Sequence, residues 1–105
     1  FHDGKRRVIV SISDDAASSY LAMLAAKIVA TPNMRVILAS RAAMAIVLAQ
    51  SAGLDGDVGA LLRELLAKFG AKGGGSKVFA QGTVDDAASL DRVVSEARGL
   101  LRSER

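Results

Sequence analysis

Three consecutive glycines, Gly73, Gly74 and Gly75, are flanked by Lys72 on one side and by Ser76 and Lys77 on the other. Without Cβ atoms, successive main-chain amides can turn into one concavity and bind an anionic oxygen, most commonly a phosphate. Such a run costs roughly 0.5–1 kcal/mol per glycine relative to alanine, so it implies a close approach to the backbone or a sharp turn. From Leu65 to Val84 the sequence has no acidic residue, but it has Lys68, Lys72 and Lys77. That local +3 equals the formal net charge of the whole chain, +3. Gln81 stands in an apolar run between Ala80 and Gly82, where a long polar side chain needs a partner. It either holds the glycine loop in shape or reaches a ligand. The expected anion site is therefore Lys68, Lys72, Gly73, Gly74, Gly75, Ser76, Lys77 and Gln81. The competing reading is a flexible surface loop with solvated lysines.

Other chemistries are poorly supplied. The 105 residues contain no cysteine and one histidine, His2, so neither a thiolate metal site nor a Ser-His-Asp triad can be assembled. Ser11, Ser13, Ser18 and Ser19 have no histidine to activate them. The glycines fit neither the G-x-x-x-x-G-K-[ST] loop nor G-x-G-x-x-G, and here the helix precedes them. Asp14-Asp15 and Asp85-Asp86 stand where helices begin, and capping explains both pairs. Met23, Met34 and Met44 lie in apolar stretches and are expected in the core. Lys5-Arg6-Arg7 reads as a solvated strand entrance that can touch phosphate. Aromatic residues are 4% of the chain, too few for stacking along a single strand of bases, so backbone and shape recognition is favoured. No catalytic residue, metal or cofactor is assigned. No apolar run reaches the roughly 18–20 residues that cross a bilayer. The absence of cysteine and of a signal peptide fits the cytoplasm.

The elements that must hold the glycines are legible from periodicity. Residues 1–5 read as a lead-in from an upstream segment, since the chain opens on Phe1, and 6–105 as one domain. Val8-Ile9-Val10 with Ile12 forms a strand, and Tyr20, Leu21, Leu24, Ala25, Ile28 and Val29 fall at helical spacing until Pro32. Met34–Ala39 is a second strand, and the run from Ala42 to Gln50 pairs back on it as a hairpin. Val58, Leu61, Leu62, Leu65, Leu66 and Phe69 mark the cleanest amphipathic helix, capped in Asp55-Gly56-Asp57 and stopped at Gly70. A short strand, Val78 to Gln81, precedes a final helix with Leu90, Val93, Val94, Ala97, Leu100 and Leu101 inside. Its outer face carries Arg92, Arg98, Arg102 and Arg105. The order β-α-β-β-α-β-α is an α/β fold, a small mixed sheet with helices packed against it.

Gly73-Gly74-Gly75 followed by Ala80-Gln81-Gly82, between two amphipathic helices, resembles the signature of the DHH-associated domain. That family occurs at the C-terminus of alanyl-tRNA synthetases, in long AlaX editing proteins and in DHH phosphoesterases such as RecJ. The phosphoesterases tend to carry histidine directly after the glycines; Ser76 stands there in this sequence. Thr83 follows Ala80-Gln81-Gly82, where many synthetases continue with glycine. The resemblance implies an accessory domain that binds tRNA while other domains of the same polypeptide perform aminoacylation and editing. It implies no ATP or zinc site in this chain. The alternative it leaves is the substrate-binding domain of a DHH phosphoesterase or exonuclease. A homodimer, paired through the leucine face of 58–69 or through the last helix, is the third reading.

Overall fold

β-Branched residues in the first apolar run and the second run around Val36-Ile37-Leu38 dictate two strands side by side. In a computed structural model, which describes residues 7–54 and 56–103, they are β1 (Arg7–Ser13) and β2 (Met34–Ser40). The two are parallel, with α1 (Ser18–Val29) as the crossover between them. β2 turns back into β3 (Ala45–Gln50), antiparallel, as the hairpin reading requires. Then come α2 (Val58–Lys68), β4 (Lys72–Gly75), β5 (Phe79–Thr83) and α3 (Ala87–Ser103). The sheet order is β1-β2-β3-β5-β4.

Alternation along β2 and β3 sorts the core into two layers. Val36, Leu38, Ala45, Val47 and Ala49 meet Leu21 and Ala25 of α1 on one face. Ile37, Ala39, Ile46 and Leu48 meet α2 and α3 on the other. Both central strands are therefore buried throughout. This explains why their sequences read as continuous apolar runs rather than alternating ones. α1 covers β2 and β3, while β5 and β4 extend past it. That overhang creates an open strip of sheet.

Several expectations change. The glycine triplet is a strand, β4, not a loop, so the order gains one element and becomes β-α-β-β-α-β-β-α. Pairing with β5 and the packing of α2 override the poor strand propensity of glycine. Asp14 and Asp15 do not cap α1: Ala17 is its N-cap residue, with no side-chain bond. Asp14 instead meets Arg41 at 2.8 Å, which raises the Arg41 pKa, and Asp15 accepts from the Ser13 hydroxyl at 3.3 Å. Met23 is exposed, while Met34 is buried and Met44 packs on the core. Tyr20 is exposed as well, because α1 buries the stripe through Leu21 and Ala25 and these two residues lie to its sides. Leu100 is also exposed, since the buried face of α3 runs through Leu90, Val93, Val94 and Ala97. The lead-in 1–5 and Arg105 lie outside the described residues.

Other caps are where the sequence puts them. Asp57 Oδ1 accepts from the Ala60 amide at 3.0 Å, and Gly70 stops α2 with φ +71°. Asp86 Oδ1 accepts from the Ser89 amide at 2.7 Å at the start of α3. That backbone bond holds the Asp86 carboxyl below its ordinary value. A carboxyl with a lowered folded pKa contributes stability above the unfolded pKa and loses it as pH falls through the folded one. Asp86→Asn is therefore expected to lower Tm at neutral pH. It is also expected to flatten the fall of Tm between roughly pH 5 and 2, and thermal melts of both proteins across that range check it.

Candidate functional site

The β4–β5 hairpin is built by the close approach of α2. Gly73 of β4 lies directly opposite Gly82 of β5. A Cβ on Gly73 would stand 2.5 Å from Leu66 Cδ1 and 2.7 Å from the Gly82 Cα. A Cβ on Gly82 would collide with the same Leu66 methyl. At the other end of the hairpin, the Val58 and Gly59 amides donate to the Lys77 and Ser76 carbonyls, each at 3.0 Å. Two orphan donors of the first turn of α2 are thus satisfied by the hairpin turn. Gly59 must be small, because a Cβ there would be 2.6 Å from the Ser76 carbonyl oxygen.

A buried polar residue secures the same turn. Gln50 Nε2 donates to the carbonyls of Lys77 and Gly56, both at 3.1 Å, and its amide donates to the Val78 carbonyl at 2.9 Å. Its Oε1 accepts from Arg35 Nε at 2.9 Å, and both side chains are buried. The Ser76 hydroxyl accepts from the Val78 and Phe79 amides within the turn and donates to the Phe79 carbonyl. Ser76 therefore shapes the hairpin.

This geometry revises the expected nest. Amides of successive residues in a strand point to opposite sides, so those of Gly73, Gly74 and Gly75 do not converge on one oxygen. The Ser76 amide donates to the Phe79 carbonyl at 2.8 Å, and antiparallel alternation then turns the Gly74 amide inward to Gln81. The Gly73 and Gly75 amides face the outer edge of β4, which no described strand covers. The site is a bare strand edge with an open face, not a cup.

The open face holds Lys72, Gly74 and Gln81 of the expected residues. Phe79 packs on the α1 side, so Gln81 and Thr83 follow it there, and their partners Gly74 and Lys72 lie beside them. Gln81, Thr83, Lys72 and Lys77 are exposed. Gln81 is exposed and makes no side-chain bond to the glycine strand, so it does not hold the glycines in shape through one. Lys68 is drawn elsewhere: its Nζ lies 3.4 Å from Glu96 of α3.

Arg63 takes its place, and the sequence reading missed it. A Cβ on Gly74 would stand 3.3 Å from Arg63 Nε and 3.4 Å from Nη2. Gly74 also has φ +153°, a region that favours glycine. The guanidinium thus lies over the middle glycine. The signal was available in part: Arg63 is one residue past Leu62 and four past Gly59, on the helix that the glycines serve. What the sequence lacked was the fact that β4 runs beside α2. Among the described residues, no carboxylate pairs with Arg63, Lys72 or Lys77.

The DHHA1 domain model matches residues 5–103. The chain belongs to the DHHA1 domain family. The same fold occurs in the C-Ala domain of Aquifex aeolicus alanyl-tRNA synthetase, at 21% identity and TM-score 0.76. That match covers 90% of this chain and 89% of the other. RecJ of Thermus thermophilus, solved with Mg2+, contains a similar domain at 23% identity and TM-score 0.57. The match there covers 87% of this chain but 14% of RecJ, so the DHHA1 fold is a small part of that larger protein. No curated protein matched in sequence. Among the described residues no cluster of His, Cys, Asp and Glu could hold a metal ion, and no helix is long and apolar enough to cross a membrane.

The DHHA1 glycines can be tested separately. Gly73→Ala and Gly82→Ala each force Leu66 or the backbone to move and should destabilise by about 1–3 kcal/mol. Gly99 of α3 has nothing within 4 Å of its Cβ position. Gly99→Ala should stabilise by about 0.5–1 kcal/mol, since the helix no longer bears the entropy of glycine. Urea unfolding of the three variants, read by circular dichroism, checks both signs.

Proposed function

We propose that the chain is a nucleic-acid-binding accessory domain, that the β4–β5 hairpin is its binding surface, and that its ligand is tRNA. The observation that carries this is a strand edge without side chains, beside three cations that no described carboxylate neutralises. Arg63 lies over Gly74, and Lys72 and Lys77 flank the strand. A polyanion can approach the main chain here as closely as backbone atoms allow. The outward Gly73 and Gly75 amides supply two hydrogen-bond donors, and the cations supply the salt-sensitive part of affinity. Gln81 and Thr83, exposed on the same face, add neutral hydrogen-bonding groups for sugar or phosphate.

Membership of the DHHA1 family and the near-complete structural overlap with a C-Ala domain favour the synthetase-type role. In that role other domains of the parent polypeptide carry out aminoacylation and editing, and this one orients the tRNA. Ser76 supports the same choice over the phosphoesterase reading. Its hydroxyl is engaged inside the turn, whereas a histidine there would be the group expected beside a substrate phosphate. The domain itself needs no cofactor for this task, and a cytoplasmic location accords with it.

Electrophoretic mobility shift or filter binding with tRNA should show affinity that falls with salt, with a log–log slope of roughly −2 to −3 for about three phosphate contacts. Lys72→Glu with Lys77→Glu should weaken binding at least about tenfold and reduce the slope by about one per lysine. Arg63→Glu should act in the same direction. All three side chains are exposed, so circular dichroism should stay unchanged. Equal binding by the double variant would overturn the assignment. Equal affinity for single-stranded DNA of matched length would favour the phosphoesterase-type alternative.

A further inference from the structure

We propose that Gln50, oriented by Arg35, is a positioning residue for tRNA binding that acts through the main chain of Lys77; this rests on the hairpin being the tRNA surface. Arg35 and Gln50 are directly opposite each other in β2 and β3, and they are 0% and 1% exposed. By strand alternation they continue the stripe of Ile37, Ile46 and Leu48 that packs toward α2 and α3. Burying a guanidinium and an amide costs free energy that an apolar pair of similar volume would not. Core stability therefore does not account for these two residues. Their bonds do.

The bonds run from the core out to the turn. Arg35 Nε donates to Gln50 Oε1 at 2.9 Å. Arginine can only donate, so this bond fixes which end of the amide faces it and turns Nε2 away. Nε2 donates to the carbonyls of Lys77 and Gly56, each at 3.1 Å. The Lys77 carbonyl also accepts from the Val58 amide at 3.0 Å, so both of its lone pairs are engaged. Ser76, Lys77 and Val78 are all exposed. The turn thus has no buried side chain of its own to anchor it, and hydrogen bonds from its neighbours must hold it.

Arg63 and Lys72 are held otherwise. Arg63 stands on α2, which Leu62, Leu65 and Leu66 bury in the core. Lys72 is paired in the β4–β5 ladder opposite Thr83. Lys77 lies beyond the last pair of that ladder, Gly75 with Ala80. Its ammonium is placed against a phosphate only as well as its main chain is placed, and a misplaced cation loses the contact while the fold persists. Gln50 therefore couples the interior of the sheet to one cation of the binding surface, at a distance from any ligand.

Filter binding of tRNA to the 105-residue chain tests this through a double-mutant cycle. Gln50→Leu removes the Nε2 donor at similar volume. Gln50→Glu keeps an acceptor for Arg35 but replaces the donor with an oxygen that repels both carbonyls. Each should weaken tRNA binding about three- to tenfold, and no more than Lys77→Ala does. In a Lys77→Ala background the further loss should vanish, whereas in a Lys72→Ala background it should persist in full. Circular dichroism and cooperative thermal melts identify the folded variants. If Gln50→Leu does not fold, Gln50→Glu carries the test, because its carboxylate compensates the buried Arg35 charge. A glutamine that only supports the fold would lower affinity equally in both backgrounds. That result, or wild-type affinity in a folded Gln50 variant, sinks the proposal while Lys77→Ala still binds weakly. Wild-type affinity in Lys77→Ala itself sinks the placement of tRNA at this turn, and the role of Gln50 with it.

Discussion

The contact between α2 and the β4–β5 hairpin governs the rest of the structure. Leu66 rests on Gly73 and Gly82, and Gly59 rests on the Ser76 carbonyl. At such separations only hydrogen fits where a Cβ would be, so the glycines are required by packing before any ligand is considered. The helix in turn needs the hairpin, because its first amides have no intrahelical acceptors. The carbonyls of Ser76 and Lys77 supply them. Gln50 ties the same turn to the central sheet from within the core. Helix, turn and sheet are thus one cooperative unit, and the β4 edge inherits its rigidity from the hydrophobic core.

The same contact explains why the glycine run is bare on its outer side. Gly73 lies against Leu66 of α2, and Gly74 beside it leaves the opposite face of β4 with only the Lys72 side chain. The exposed backbone is therefore a by-product of packing that a polyanion can use. The three cations beside it come from different elements: α2, the first residue of β4, and the turn. Lys68, nearest to them in sequence of the remaining lysines, is neutralised by Glu96 instead. Charge density in sequence and charge density in space differ here by one exchange, Arg63 for Lys68.

That exchange shows where legibility ends. The helices, the first hairpin and the Gly70 stop followed from apolar periodicity and terminal residues, because each is decided within about four to twelve neighbouring positions. The β4 strand was not decided locally. Glycine carries no side-chain pattern, and a run of three reads as loop until its partner and its covering helix are known. The capping error at Asp14 and Asp15 has a similar origin. Their carboxylates are in range of Ser13 and Arg41, and Arg41 is brought there only by the parallel register of β1 and β2. Gln81 was legible as an unusual polar residue. Its direction depended on α1 stopping at β3, a fact about coverage that sequence does not hold.

The two ends of the sheet differ in chemistry. The β4 edge is bare and has Arg63, Lys72 and Lys77 beside it without a carboxylate partner among the described residues. The β1 edge carries Val8, Ile9, Val10 and Ile12, each partly exposed. A polyanion that meets the domain in the proposed way therefore has one end of the sheet to approach, and the α2 contact that shapes that end also brings Arg63 to it.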